Sequence, residues 1–276
     1  MRSTREIRNK IRTVRSIEQI CRAMKTVSSI RLRRAEQRLQ RSRPYHAKLA
    51  ELVGLVASVT QEHPFLQPRL VAKTGLVLVT SDRGLCGGYN AAALRQALSV
   101  GEPEEMLALA VGRKGLVHLR RRHYEIIDQL VPLGGEPDLA AVRAFADRTG
   151  QRFVDGEIDR LVVVYSRFLG GTRLEVRAEE VLPVAPQEMR VADAIFEPQP
   201  REMLPGLMKR YLESEILAAV LESSASEHAA RVAAMTAASD NAEEMIQHLT
   251  LEYNKARQAG ITGELIEIVS AAGSAA

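Results

Sequence analysis

Aromatic side chains are scarce in this sequence: they make up 4% of its 276 residues, and Trp is absent. Globular cores and surfaces that stack nucleobases both use aromatic rings heavily. Coiled coils do not, because Leu, Ile, Val, Met and Ala fill their seams. The low aromatic content therefore favours a chain with long paired helices.

Cysteines are few and long apolar runs are absent. Cys21 and Cys86 are the only cysteines, and two distant thiols cannot staple a chain of this length, so we expect a reducing compartment. No run of about 18 apolar residues occurs, which predicts no direct insertion into a membrane. The six histidines show neither an HExxH motif nor a Cys/His ligand spacing, so we expect no metal and no cofactor.

Glycine and proline are missing from the N-terminal part of the chain. Residues 1–43 contain neither, and apolar residues recur there every three or four positions, as one face of a helix requires. We predict a helix that Pro44 bends or interrupts and that ends near His63 and Pro64. The apolar stripe consists of Ile7, Ile11, Val14, Ile17, Ile20, Met24, Val27 and Ile30.

The C-terminal part repeats this pattern. Pro205 and Gly206 predict a break, and residues 207–259 again contain neither Gly nor Pro. Apolar and small residues follow there in steps of four and three, which indicates a heptad-like seam. A helix this long is not stable alone in water, so we expect it to pair with the N-terminal helix. The predicted seam consists of His228, Val232, Met235, Ser239, Ala242, Met245, Leu249, Tyr253 and Ala256.

The middle of the chain has a different organisation. Short apolar runs alternate with helical stretches, which predicts an α/β fold with a parallel sheet. The apolar runs are 75–80, 106–111, 124–128 and 160–165, and the helical stretches lie near 88–99, 113–121 and 138–153. Residues 172–178 alternate and predict an antiparallel edge strand. Five of the eleven prolines fall within 183–205, which we interpret as a linker into the last helix.

Positive charge is concentrated at the N-terminus. Residues 1–43 carry 14 Lys and Arg against 3 acidic residues, whereas the net charge of the whole chain is +4. A cationic helix is either a solvated face or a surface for an acidic partner. Nucleic-acid binding is an alternative function that this charge leaves open, and it predicts steeply salt-dependent binding.

A glycine-rich loop, residues 81–90, follows the first predicted strand and opens a helix. That is the place of a phosphate-binding loop, but neither GxGxxG nor GxxxxGKS/T is present, so we interpret the glycines as a tight turn. Cys86 lies at the helix start, where a thiolate is stabilised. Its nearest candidate bases, His118 and His123, lie among Arg residues, so the sequence favours a noncatalytic chain.

Segments at both ends and in the middle resemble the gamma subunit of F-type ATP synthases. They are REIRNKIR at 5–12, QICRAMK at 19–25, TSDRGLCGGYN at 80–90, ASEHAAR at 225–231 and LTLEYNKARQ at 249–258. Because they follow one another in the family's order, the resemblance covers the whole chain.

The resemblance implies an antiparallel coiled coil of helices at 1–66 and 204–276, with a Rossmann-like α/β domain at 74–195. In this family the coiled coil lies inside a ring of three alpha and three beta subunits. The middle domain docks, with the epsilon subunit, on the membrane-embedded ring of c subunits. The implied function is a noncatalytic central-stalk rotor that couples transport of hydrogen or sodium ions to ATP synthesis or hydrolysis. The implied location is peripheral, on the cytoplasmic face of a bacterial or archaeal plasma membrane.

The resemblance also implies contacts between rotor and ring. Met24 and Lys25 match a position that faces an acidic loop of beta. The other implied contacts match positions of the C-terminal helix that touch beta or the N-terminal helix: Glu227, Arg231, Arg257, Gln258, Thr262 and Glu264. Gly260 and Gly263 depart from the family pattern, and a helical glycine costs roughly 1 kcal/mol relative to alanine, so we expect a softer helix end.

Overall fold

A computed structural model of the protein describes residues 4–60, 62–133, 137–185 and 199–273. The side chains of Pro200, Glu264 and residues 267–273 lie outside that description, as does most of the predicted linker, residues 186–198. Contacts divide the chain into two compact units. Unit 1 contains Met1–Val27 and Val232–Ala276, and unit 2 contains Ser28–Arg231. The predicted domain boundaries, which follow the helices instead, stay predictions.

A five-stranded sheet forms the centre of unit 2. Its order is β3-β2-β1-β4-β5, with β1 to β4 parallel and β5 antiparallel beside β4. The strands are β1 (Thr74–Val79), β2 (Met106–Val111), β3 (Glu125–Leu130), β4 (Arg160–Gly170) and β5 (Arg173–Leu182). The predicted α/β fold, with a parallel sheet and an antiparallel edge strand, is confirmed.

Helices cover both faces of this sheet. They are α1 (Thr4–Val59), α2 (Tyr89–Leu98), α3 (Arg113–Arg121), α4 (Leu139–Val154) and α5 (Pro200–Gly273). Side chains of β1 point alternately to the two faces, and both are buried, which explains its unbroken apolar sequence. Leu76 and Leu78 pack with α2 and α3, whereas Val77 and Val79 pack with α4 and the unit 2 parts of α1 and α5.

Both long helices run through prolines, which corrects the predicted break at Pro205 and Gly206 and excludes an interruption of the helix at Pro44. α1 continues through Pro44, and α5 continues through Pro205 and Gly206. A proline removes one hydrogen bond from the helix and crowds the preceding turn. Leu204 and Leu207 flank the second proline and are buried in the core of unit 2, so packing there outweighs the local preference against helix.

The buried side of α1 follows a seven-residue repeat, which corrects the predicted stripe. Positions 7, 14, 21, 28, 35, 42, 49 and 56 are each buried or half-buried. Ile17, Ile20, Val27 and Ile30 were predicted at the seam and are 48%, 58%, 50% and 51% exposed. The predicted stripe advances mostly by three residues and so turns away from the seam, whereas a heptad stays on it. Cys21 and Ser28 occupy the seam instead.

The seam predicted on α5 is largely confirmed. His228, Met235, Ser239, Ala242 and Leu249 are buried, and Val232, Tyr253 and Ala256 are half-buried. Met245 is the exception, at 53% exposure. The half-buried neighbour Ile246 takes its place, because it keeps the seven-residue spacing from Ser239.

Candidate functional site

In unit 1 the helices α1 and α5 lie side by side and antiparallel. Arg8 donates a hydrogen bond to the hydroxyl of Tyr253, and its guanidinium carbon lies 5.4 Å from the ring centroid. Further along α1, Nη2 of Arg22 lies 3.5 Å from Oε2 of Glu243. Residue numbers rise along one helix as they fall along the other, which confirms the predicted antiparallel pairing.

The α1 helix of unit 1 also carries apolar side chains on its outer side. We call Ile17, Ile20 and Val27, each about half exposed, the outer stripe. Exposed apolar side chains grouped on one surface mark interaction sites. This surface was not predicted from the sequence, because the spacing of the apolar residues assigned Ile17, Ile20 and Val27 to the seam. A seven-residue spacing starting at Ile7 passes through Cys21 and Ser28. This spacing is the sequence signal that distinguishes the seam from the outer stripe.

The same segment of α1 is strongly cationic on its exposed side. Its exposed basic residues are Arg5, Arg8, Lys10, Arg12, Arg15, Arg22 and Lys25. The neighbouring α5 segment carries both signs of charge, because it exposes Asp240, Glu243 and Glu244 but also Lys255 and Arg257. The two sides of the helix pair therefore differ in charge, so that identical partners placed around it would meet different surfaces.

Most of the predicted contact residues of unit 1 lie on its surface. The exposed ones are Lys25, Arg257, Gln258 and Thr262, and Met24 is half-buried next to the seam. The Oγ1 atom of Thr262 donates to the carbonyl oxygen of Gln258 at 3.0 Å. Glu264 belongs to α5, but its side chain lies outside the described residues. Contact with another subunit stays a prediction for all six.

Glu227 and Arg231, the other predicted contacts, lie in unit 2 and form a buried polar group. The side chain of Arg231 is 8% exposed, and its Nη2 lies 2.7 Å from Oε1 of Glu227. Nη2 also donates to the carbonyl oxygen of Gly84 at 3.3 Å, and Nη1 lies 3.3 Å from Nδ1 of His228.

The ionisation of this group follows from its burial. Burial raises the pKa of Glu227, and the adjacent guanidinium of Arg231 opposes that rise. Burial, together with the charges of Arg231 and Arg31, lowers the pKa of His228 to about 4. His228 is therefore neutral near pH 7, and its Nδ1 is available to accept from Arg231. Arg31 belongs to α1, so a charge of the N-terminal helix within unit 2 also acts on Glu227 and His228.

The glycine-rich loop closes on itself, as the tight-turn interpretation predicts. Leu85 and Gly87 have φ values of 62° and 57°, and Asn90 Oδ1 accepts from the backbone N–H of Ser81 at 3.1 Å. Asn90 Nδ2 donates to Cys86 Sγ at 3.2 Å. The polar partners of Cys86 within the described residues are Ser81, Arg83 and Asn90, a set without a histidine.

Nowhere among the described residues do three His, Cys, Asp or Glu side chains come together as a metal ion would require. None of the helices in the described ranges combines the length and the apolar character that crossing a bilayer takes.

Comparison with known proteins identifies the family. The family model described as ATP synthase matches residues 3–275. The ATP synthase gamma chain of Moorella thermoacetica is 42% identical over 280 residues, which cover 99% of both chains. The gamma chain of Laribacter hongkongensis is 41% identical over 281 residues, which cover 97% of this chain and 98% of the relative.

Two solved structures share the fold. A chain of the Euglena gracilis mitochondrial ATP synthase (OSCP/F1/c-ring, rotational state 3) superposes with a TM-score of 0.71 at 21% identity, covering 98% of this chain and 94% of that one. A chain of the Tetrahymena thermophila mitochondrial ATP synthase (central stalk/c-ring) superposes with a TM-score of 0.64 at 24% identity, covering 80% and 99%. None of these matches supports the nucleic-acid alternative. The family model and the close relatives span nearly the whole sequence, and this chain therefore belongs to the ATP synthase gamma chain family.

Proposed function

We propose that this gamma chain is the central-stalk rotor of its ATP synthase, turning within a ring of alpha and beta subunits. The observation that carries the proposal is the surface of unit 1. Two antiparallel helices there expose the outer stripe, a strongly cationic side on α1 and a side of mixed charge on α5. Such a surface suits a rod that touches several partners in turn.

The asymmetry of unit 1 explains how rotation would alter nucleotide affinity. A rod without symmetry inside a three-fold ring presents a different face to each beta subunit. Each face favours a different beta conformation, so the affinity of each subunit for nucleotide depends on the angle of the rod. Rotation thereby orders the binding, conversion and release of nucleotide at three sites. Cationic side chains guide acidic partner loops over a long range without a deep apolar lock.

We further propose that the chain has no catalytic site of its own and acts through its partners. The support is the loop at 81–90, where the thiol of Cys86 bonds to loop residues that include Asn90, and where the carbonyl oxygen of Gly84 accepts from Arg231. The proposed partners are the alpha and beta subunits at unit 1, with the epsilon subunit and the c ring at the α/β domain. The complex would transport hydrogen or sodium ions, and the chain would lie peripherally on the cytoplasmic face of the membrane.

We assign the ring contacts of unit 1 to Met24, Lys25, Arg257, Gln258, Thr262 and Glu264. Lys25 is the sharpest test among them, because it is exposed on the cationic side. Lys48, on the same helix in unit 2, is a matched control, because it is also exposed and pairs with Glu51 at 2.7 Å. Reversing one rim charge opposite an acidic loop weakens binding by about 1 kcal/mol, which is roughly five- to tenfold in affinity.

The deciding experiment reconstitutes alpha and beta subunits of the same organism with and without this chain and measures ATP hydrolysis. Hydrolysis that depends on the chain supports the proposal, and hydrolysis that is the same without it contradicts the proposal. In the same assay, Lys25→Glu should weaken binding to the ring, whereas Lys48→Glu should leave it within about twofold of the parent. Replacing Na⁺ with K⁺ during ion-driven synthesis distinguishes sodium from hydrogen-ion coupling.

A further inference from the structure

Strand β4 extends beyond β1, which leaves part of one strand edge without a neighbouring strand. The last β4 residue that pairs with β1 is Val164, opposite Leu78. Ser166 and Phe168 continue the strand and pair with β5 on their other side only. Both residues are buried. Buried backbone N–H and C=O groups at an open edge require other partners, because an unpaired one is costly.

Serine side chains of α5 supply the partners at Ser166. Its backbone N–H donates to Oγ of Ser223 at 3.2 Å, and Oγ of Ser226 donates to its carbonyl oxygen at 2.9 Å. The hydroxyl of Tyr89 in α2 donates to the carbonyl oxygen of Ser223 at 3.2 Å. Ser223 and Ser226 are 1% and 0% exposed, so water does not compete for these bonds.

A charged pair supplies the partners at Phe168. The backbone N–H of Phe168 donates to Oε2 of Glu222 at 2.8 Å, and Nη2 of Arg43 donates to the carbonyl oxygen of Phe168 at 3.2 Å. Arg43 also donates to Oε1 of Glu222, from Nε at 3.3 Å and from Nη2 at 3.0 Å. Charge-assisted bonds of this kind are stronger and more directional than neutral ones. The two helices and β4 are thus joined at one point.

We propose that Arg43, Glu222, Ser223 and Ser226, which we call the edge clamp, hold the sheet of unit 2 rigidly to α1 and α5 and carry torque between them. This inference rests on the proposed rotor function, in which the sheet and the long helices must turn together. The hydrophobic effect is nondirectional, whereas hydrogen bonds of defined length and direction also fix the position of the strand along the helices. The clamp replaces the missing neighbour of β4 with such bonds.

The test measures the stiffness of the assembled complex. A fluorescent probe attached at Arg121→Cys reports the angle of the α/β domain while the alpha and beta ring is immobilised. Arg121 is exposed, and the native Cys21 and Cys86 are buried, so the new thiol is labelled preferentially. Angular variance is inversely related to stiffness. Glu222 accepts one of the four bonds to the edge of β4 and also holds Arg43, which donates another, so Glu222→Ala should increase the variance roughly twofold.

Matched variants separate the clamp from general destabilisation. Glu213→Ala is the control, because Glu213 also belongs to α5 and faces Arg143 at 3.7 Å, away from β4. Glu222→Gln should recover most of the stiffness, since its amide oxygen still accepts from Phe168. A purely structural role would lower the melting temperature of Glu222→Ala without changing the variance at a fixed lower temperature.

The possible outcomes distinguish this inference from the rotor proposal. If the parent chain fails to stimulate hydrolysis by the ring, the rotor proposal itself is wrong. If the parent stimulates hydrolysis but Glu222→Ala and the double variant Ser223→Ala, Ser226→Ala both keep the parent variance, the clamp is overturned. Should Glu222→Ala not assemble, the serine double variant decides, because it removes only two hydroxyl groups.

Discussion

The guanidinium of Arg231 lies 3.3 Å from the carbonyl oxygen of Gly84, in the loop that follows β1. The sheet order places β1 between β2 and β4. The chain leaves β1 towards β2 and later returns from β3 to β4 on the other side of β1, so this loop lies at the point where the strand order reverses. In open parallel sheets this crevice, outside the carboxyl ends of the strands, is the usual place for a ligand. Here the side chain of Arg231 from α5 lies in that crevice. The edge of the sheet where other Rossmann-like folds bind a ligand therefore contacts a long helix in this protein.

Replacing Arg231 with Met should lower the free energy of unfolding by about 3–5 kcal/mol, because it leaves the carboxylate of Glu227 buried without its cation. The side chains of Arg231 and Glu227 are only 8% and 16% exposed, so water cannot replace the lost partner. Urea denaturation at pH 8 measures the change. A variant as stable as the parent would mean that the pair is not a structural contact.

The double variant Arg231→Met, Glu227→Gln is the control for this prediction. It removes the buried charge together with its partner, and pairs replaced by neutral side chains are often close to neutral in stability. We expect it to recover roughly half of the loss or more. No recovery would indicate that the bonds of Arg231 to Gly84 and His228, rather than the charge of Glu227, account for the stability.

A second prediction concerns Gly112, at the end of β2. Its φ is +90°, and a Cβ atom there would lie 2.1 Å from the carbonyl oxygen of Thr80. Gly112→Ala therefore combines a disfavoured backbone conformation with a clash against main-chain atoms. We expect a loss of about 3 kcal/mol or more in unfolding free energy, measured by thermal or urea denaturation.

Gly84→Ala is the matched control, because a Cβ at Gly84 meets nothing within 4 Å. Its effect should stay within about 1 kcal/mol. Equal effects at Gly84 and Gly112 would show that the contact with Thr80 does not govern the requirement for glycine.

Sequence patterns predicted the sheet well because β1, β2 and β5 have simple patterns of apolar residues. The continuous apolar runs at β1 and β2 reflect burial on both faces, and the alternation in β5 reflects an edge. The outer stripe was assigned wrongly because Ile20 and Cys21 are adjacent and both apolar, so only their phase in the seven-residue repeat tells them apart. The edge clamp was not predictable from the sequence. Glu222 can bond to Phe168 because β4 is longer than β1, and the sequence does not show where the pairing of these two strands ends.

A third prediction is a pH dependence at Glu215. Burial, together with the charge of Glu179, raises the pKa of Glu215 to about 7. An acid whose pKa is higher in the folded state stabilises that state fully below its unfolded pKa of 4.5 and loses the contribution as pH rises through about 7. Ionised Glu215 should therefore cost up to about 3 kcal/mol at pH 8 relative to pH 4.

Glu215→Gln tests this dependence by removing the titrating group. The variant should be more stable than the parent at pH 8, by roughly 1–3 kcal/mol, and the difference should shrink towards pH 5. His46, whose Nε2 lies 3.7 Å from Glu215, has a pKa lowered by burial and so contributes with the opposite sign, losing stability as pH falls below 6.5. A His46→Gln background separates the two. A difference between Glu215→Gln and parent that does not change with pH would contradict the assignment.

The last prediction concerns the end of α5 in unit 1. A Cβ at Gly260 would meet nothing within 4 Å, and the residue lies inside the helix. Gly260→Ala should therefore stabilise the local helix by about 1 kcal/mol, since alanine loses less backbone entropy on becoming helical. Amide hydrogen exchange of neighbouring residues should slow by roughly fivefold, which is the same free energy expressed as an opening equilibrium.

Gly150→Ala is a control with the same gain in helix propensity but a different environment. Its Cβ would lie 3.0 Å from both Leu212 and Phe65 in the core of unit 2, so crowding there offsets the gain. We expect Gly150→Ala to be neutral or destabilising while Gly260→Ala is stabilising. If exchange near Gly260 is unchanged by alanine, the glycine does not determine how readily this helix end opens. In that case the remaining physical cause of opening is that Ile261 and Leu265 are exposed and so contribute little buried apolar surface.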